Sequence, residues 1–209
     1  MSDPAESNLE QEVLKFNVAR AEAISKYSDL EQALCECFAY FSGTTRKVAG
    51  TIFFKISNAR ARRDILDDLK RQKIAVKYSR FWDSILKTAA TLDDERNRVV
   101  HWTTAFYLYF SEEPYKAAKV TKPILKKPNF FAHETETPEI TTADLEAFER
   151  RCEVLRGAFE GFLVALRADL EDEEGRTWRE ICQRPLDDPL PPDHPLHRRP
   201  IGFLPRRPS

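Results

Sequence analysis

Apolar side chains recur at three- and four-residue steps through Leu145, Phe148, Cys152, Leu155, Phe159, Phe162, Leu166 and Leu170, and this stripe constrains the chain more than any other feature. The spacing predicts one amphipathic helix of about seven turns, lying along a core or against a helical partner. Thr142 reads as its N-cap, with Asp144 and Glu146 in the first turn, where the helix dipole favours acids. The acidic run Glu171 to Glu174, then Gly175, ends it. With only 6 glycines in 209 residues there is little material for a turn-rich all-β fold, so the expected class is all-α.

The same periodicity runs through Leu9, Val13, Phe16, Tyr27, Leu30, Leu34, Phe38 and Phe41. Ser28 with Glu31 offers a capping box, leaving one bent helix or two open, and Ser42-Gly43-Thr44 is the stop. A second helix is expected from about Thr45 to Lys73, with Val48, Ile52, Ile56, Ala59, Leu66 and Leu69 on its inner stripe. Gly50 within it suggests the close approach of a neighbouring helix. A third begins at Phe81-Trp82 and passes through Ile85, Leu86, Ala89 and Leu92. Thr103 to Phe110, aromatic and β-branched, reads as a helix end or a short strand, with the helix expected to finish between Trp102 and Phe106. Prolines 114, 123, 128 and 138 make residues 107–141 an irregular insertion, with room for a small hairpin. Arg176 to Gln183 allows one more short helix, and the proline-rich remainder is expected to be extended or disordered. The expected organisation is a polar, disordered segment 1–8, a helical domain 9–175, and a short helix with a flexible tail over 176–209.

Cys35, Cys37, Cys152 and Cys182 lack the paired spacing of a zinc site, so reduced core thiols are expected, with neither metal nor cofactor. No apolar run approaches a membrane span and no signal-type leader opens the chain, so a cytoplasmic protein without a membrane partner is expected. Net charge is −1, but between Arg46 and Arg80 eleven Lys/Arg face three aspartates, a balance of +8. Lys116, Lys119, Lys122, Lys126 and Lys127 form a second basic block. Such segregation gives either a face suited to phosphate or acidic and basic helices that pair with each other. Arg60, Arg62 and Arg63 are candidate phosphate contacts, the alternative being a solvated charge run.

Chemistry concentrates in Asp93-Asp94-Glu95-Arg96-Asn97-Arg98-Val99-Val100-His101-Trp102. On a helix, Asn97 and His101 share a face, and Arg96, about 140° from His101, borders the same groove. The acids suit the positive end of a new or continuing helix. An imidazole can accept or deliver a proton near neutral pH, and a guanidinium can neutralise a developing oxyanion. The structural alternative makes His101 a core residue bonded to a carboxylate and a carbonyl, with Arg96 paired to Asp93 or Asp94. His133 lies in the insertion, and His194 and His197 lie in the proline tail without the scaffold a metal needs.

Arg96, four intervening residues and His101, with Asn97 after the arginine, resemble the R-x(4-6)-H motif of the HEPN superfamily. The likeness extends over about Leu30 to Leu170, with helices before the motif, the motif near the start of a helix and an amphipathic helix closing the domain. It implies a HEPN-like helical bundle and a metal-independent endoribonuclease, a toxin or defence effector restrained by an antitoxin or other regulatory protein. It also implies a homodimer presenting two motifs to RNA, with Arg96, Asn97 and His101 catalytic. Arg60, Arg62, Arg63 and Arg98 are the expected RNA contacts. The rival readings are a non-catalytic module in which the 145–170 stripe dimerises or binds a helical protein, and an RNA- or nucleotide-binding sensor that does not cleave.

Overall fold

A computed structural model describes residues 4–71, 74, 76–106, 108–109, 119–120, 122–128, 139–167 and 173–186. Among these, six helices predominate: α1 Pro4–Ser42, α2 Arg46–Phe53, α3 Ala59–Lys70, α4 Ser79–His101, α5 Thr142–Leu166 and α6 Glu173–Ile181. Five short strands, β1 Thr103–Ala105, β2 Leu108–Tyr109, β3 Lys119–Val120, β4 Ile124–Lys126 and β5 Glu139–Ile140, separate α4 from α5. The protein is therefore mostly helical with a small β insertion. His133, His194, His197, Leu170, residues 1–3 and the tail beyond Leu186 lie outside the described residues. Among the described residues no helix is long and apolar enough to cross a membrane.

The chain divides into two compact units, Met1–Gln32 with Ala89–Glu153 and Ala33–Thr88 with Val154–Ser209. Both are discontinuous in sequence because α1, α4 and α5 each contribute to both.

In the first unit, Phe16, Ala19, Ala23, Tyr27 and Leu30 of α1 are buried, as are Ala89, Leu92 and Val99 of α4 and Leu145, Phe148 and Cys152 of α5. Ser28 does not start a new helix. Its hydroxyl donates back to the Ile24 carbonyl inside an unbroken α1, a bond that satisfies the side chain without interrupting the ladder. β4 is central in a three-stranded antiparallel sheet, pairing Leu125 with Thr104 of β1 and with Ile140 of β5. β2 and β3 form a separate antiparallel pair. The insertion thus begins as a strand directly after α4. Thr141, one residue before the expected cap, accepts from the Asp144 amide at 3.3 Å, while the Asp144 carboxylate accepts from the Thr141 amide at 2.9 Å.

The second unit is held by aromatic rings. Trp82 of α4 meets Phe41 at 5.1 Å between ring centroids, Phe162 at 5.4 Å and Phe159 at 5.9 Å. Its indole N–H donates to Asp67, which also pairs with Lys70 at 2.9 Å. The α5 stripe continues here through buried Leu155, Phe159 and Phe162. These side chains are covered within the chain, so a dimer seam along them is not what the stripe encodes. All four cysteines are free and buried, and burial pushes the Cys152 and Cys182 thiols up to about 12. Gly43, at φ 69°, ends α1 in the left-handed conformation, with the Thr44 amide donating to the Ala39 carbonyl.

The single helix expected over 45–73 is two. Asn58 caps α3 by accepting from the Ala61 amide at 3.0 Å, and Phe54 to Ser57 turn between the segments. An asparagine favours that cap over a mid-helix position, which breaks the run of Ile52, Ile56 and Ala59. The break re-aims α2: Ala49 and Phe53 are buried, while Val48 and Ile52 of the expected inner stripe are each 45% exposed. Gly50 is not a close approach either, for a Cβ there would meet nothing within 4 Å. A crowded glycine is Gly161 of α5, whose added Cβ would lie 2.3 Å from the Trp178 ring of α6.

Candidate functional site

The charged run does not open a helix. With no glycine or proline between Ser79 and His101, α4 continues unbroken, and Arg96 to His101 form its last turns, at the carbonyl end. Asp93 to Glu95 therefore sit mid-helix rather than at the positive pole. Two of the three acids have side-chain partners that compensate. Asp93, nearly buried, accepts from the Tyr27 hydroxyl, and Glu95 takes a two-pronged contact from the Arg151 guanidinium.

Arg20 of α1 closes the helix end. Its guanidinium donates to the carbonyls of Val99 at 2.9 Å and of Val100 and Trp102 at 3.0 Å each, with a longer contact to the Thr104 hydroxyl. Val99 and Val100 lie in the last turn of α4, where carbonyls have no intrahelical partner and a cation is the favoured charge. The chain is held at the point where helix gives way to β1, which stops α4 at His101. Sequence reasoning missed Arg20. The available signal was its place between Phe16 and Ala23, on the stripe of α1 that is otherwise apolar.

Within the last turns the candidate residues separate by face. Asn97, Arg98 and His101 are exposed. Asn97 and His101 diverge by about 40° around the helix and Arg98 and His101 by about 60°, so the three form one solvent-facing edge. Arg96 lies on the flank. It is half-buried, its guanidinium 5.7 Å from the centroid of the Tyr27 ring, and one nitrogen donates to the Asn97 side-chain oxygen at 3.4 Å. Tyr27 in turn stacks on Phe148 at 6.3 Å. The expected trio is thus joined through Arg96 and Asn97, while the cation that shares the exposed face with His101 is Arg98.

Arg98 also borders a cleft of about 300 Å³ lined by the polar Thr91, Asp94, Glu95, Glu139, Asp144 and Arg151 and the apolar Val99, Ile140, Ala147 and Phe148. The acids outnumber the bases there. On the neighbouring α1–α5 face, Lys26 pairs with Glu153 at 2.5 Å, which raises the lysine pKa against the opposing effect of burial. Glu149 is raised, first by burial and then by Glu22 and Glu153.

The other expected RNA contacts belong to the second unit. Arg60 is exposed and 3.8 Å from Asp64. Arg62 is not part of a solvated run: it donates to the Ile56 carbonyl at 2.6 Å and stacks 5.2 Å from Phe53 and 5.7 Å from Phe54, bracing the α2–α3 connection. Arg63 is half-buried. Among the described residues no group of three or more His, Cys, Asp or Glu side chains could hold a metal ion. Compared with protein-family models, curated proteins and solved structures, the chain matches none of them.

Proposed function

We propose that the carbonyl end of α4 is an RNA-facing edge and that the protein is a HEPN-like, metal-independent endoribonuclease. One observation carries this reading. Asn97 and His101, a turn apart, face solvent together on a helix end immobilised by the Arg20 bonds to Val99, Val100 and Trp102. A rigid backbone presenting an amide and an imidazole to solvent meets the geometric demand of proton transfer to a bound chain.

In this reading the ribose 2'-oxygen attacks phosphorus, the P–O5' bond breaks and a 2',3'-cyclic phosphate forms. The proton leaving the 2'-hydroxyl is taken by one imidazole, and the 5'-oxygen receives one from another. One His101 cannot stand on both sides of the phosphorus at once, so a second copy supplies the partner imidazole across a two-fold axis. Asn97 holds a phosphate oxygen, and Arg98 supplies the nearest exposed cation. Arg96 is a positioning residue, holding the Asn97 amide through its side-chain oxygen.

A second reading has an observation of its own. Arg96, Arg20 and Arg151 all have structural partners, and acids surround Arg98, an arrangement that suits a helical module binding a basic protein segment better than a phosphate chain.

Incubation with single-stranded RNA in EDTA separates these. The nuclease reading predicts cleavage with cyclic phosphate ends, lost in His101→Ala and weakened in Asn97→Ala. Binding without cleavage identifies a sensor. Neither binding nor cleavage leaves the interaction module.

A further inference from the structure

We propose that the outward face of α2, together with Phe54 and Lys55 after it, is a docking face for an anionic lipid surface. Val48 and Ile52, one turn apart, are each 45% exposed, and Phe54 is 47% exposed. Lys47, Thr51 and Lys55 are exposed around them. Between Glu36 and Asp64 the sequence has no acid, and Glu36 is itself tied to Arg46 at 2.7 Å. Three half-exposed apolar side chains with two exposed lysines beside them have the composition of a surface helix whose apolar side enters the headgroup–acyl boundary while its ammonium groups stay among anionic headgroups. That no helix among the described residues can cross a membrane concerns spans, not peripheral contact of this kind.

The same residues argue against other occupants. In a two-fold contact between copies of this chain, the lysines of one copy would be brought towards those of the other. A stable protein interface takes about 20 to 30 residues a side, and this face offers a handful. For RNA, Val48 and Ile52 provide no stacking surface, and Phe54 alone is a single ring where single-strand binding stacks successive bases. Reversible adsorption on an anionic bilayer uses both the aliphatic side chains and the lysines.

Co-sedimentation of the full-length chain with vesicles tests this. Phosphatidylserine–phosphatidylcholine vesicles should retain the protein at low salt and release it as salt rises, and phosphatidylcholine alone should not retain it. Ile52→Ser and the double variant Lys47→Glu/Lys55→Glu should each lower the partition coefficient by roughly tenfold. Both alter exposed side chains, so circular dichroism and RNA cleavage measured without vesicles should match the wild type. Failure to bind anionic vesicles, equal binding to neutral ones, or wild-type partition by both variants would overturn the proposal. Wild-type partition combined with weakened RNA retention would assign the face to nucleic acid instead.

Discussion

The two halves of α4 are held in opposite ways. From Ser79 to Thr88 the helix belongs to a unit whose core is aromatic, with Phe81, Trp82 and Ile85 fully buried. From Ala89 onward it still buries Ala89, Leu92 and Val99, but its last turns are held chiefly by polar contacts, among them Tyr27 with Asp93, Arg151 with Glu95 and Arg20 with the terminal carbonyls. Ring packing has only broad geometric preferences and is shared among several neighbours, whereas hydrogen bonds fix an orientation and are costly to leave half-made. The directional half is the one that presents Asn97 and His101.

Breaking the aromatic half should have the largest effect. Trp82→Ala should cost about 3–5 kcal/mol, read from denaturant unfolding. Gly161→Ala should follow at about 1–3 kcal/mol, because the new methyl collides with the Trp178 ring and α6 must shift. Tyr27→Phe sharpens the contrast. It leaves the stack on Phe148 but withdraws the donor from a nearly buried carboxylate, costing about 1–2 kcal/mol, with faster amide exchange near Asp93 than near Trp82. Gly50→Ala should change stability least and in the other direction, a gain of up to about 1 kcal/mol, since nothing opposes the added methyl.

The glycine pair also shows what sequence can and cannot reveal. A glycine inside a helical pattern advertises either a close approach or nothing, and only the neighbour decides. Gly161 stands within a stripe so regular that its role was invisible until Trp178 was placed against it. The α5 stripe and the stop at Gly43 were legible because spacing and local backbone chemistry suffice for both. The α2–α3 break was not: Asn58 as a cap competed with an apolar run that continued through it, and the cap prevailed. At the site, the pairing of Asn97 with His101 followed from helical geometry alone. The placement of Arg96 against Tyr27, and the capture of the helix end by Arg20, depend on pairings between α1 and α4 that span 69 to 80 residues of sequence.

In the proposed nuclease, Arg96 holds the edge and His101 reacts on it. RNA cleavage per folded molecule, measured for Arg96→Ala and His101→Ala beside their melting temperatures, tests it most directly. His101→Ala should melt like the wild type and lose about 100-fold or more in rate. Arg96→Ala should melt lower and retain part of its activity. Wild-type cleavage by a folded His101→Ala protein would contradict it.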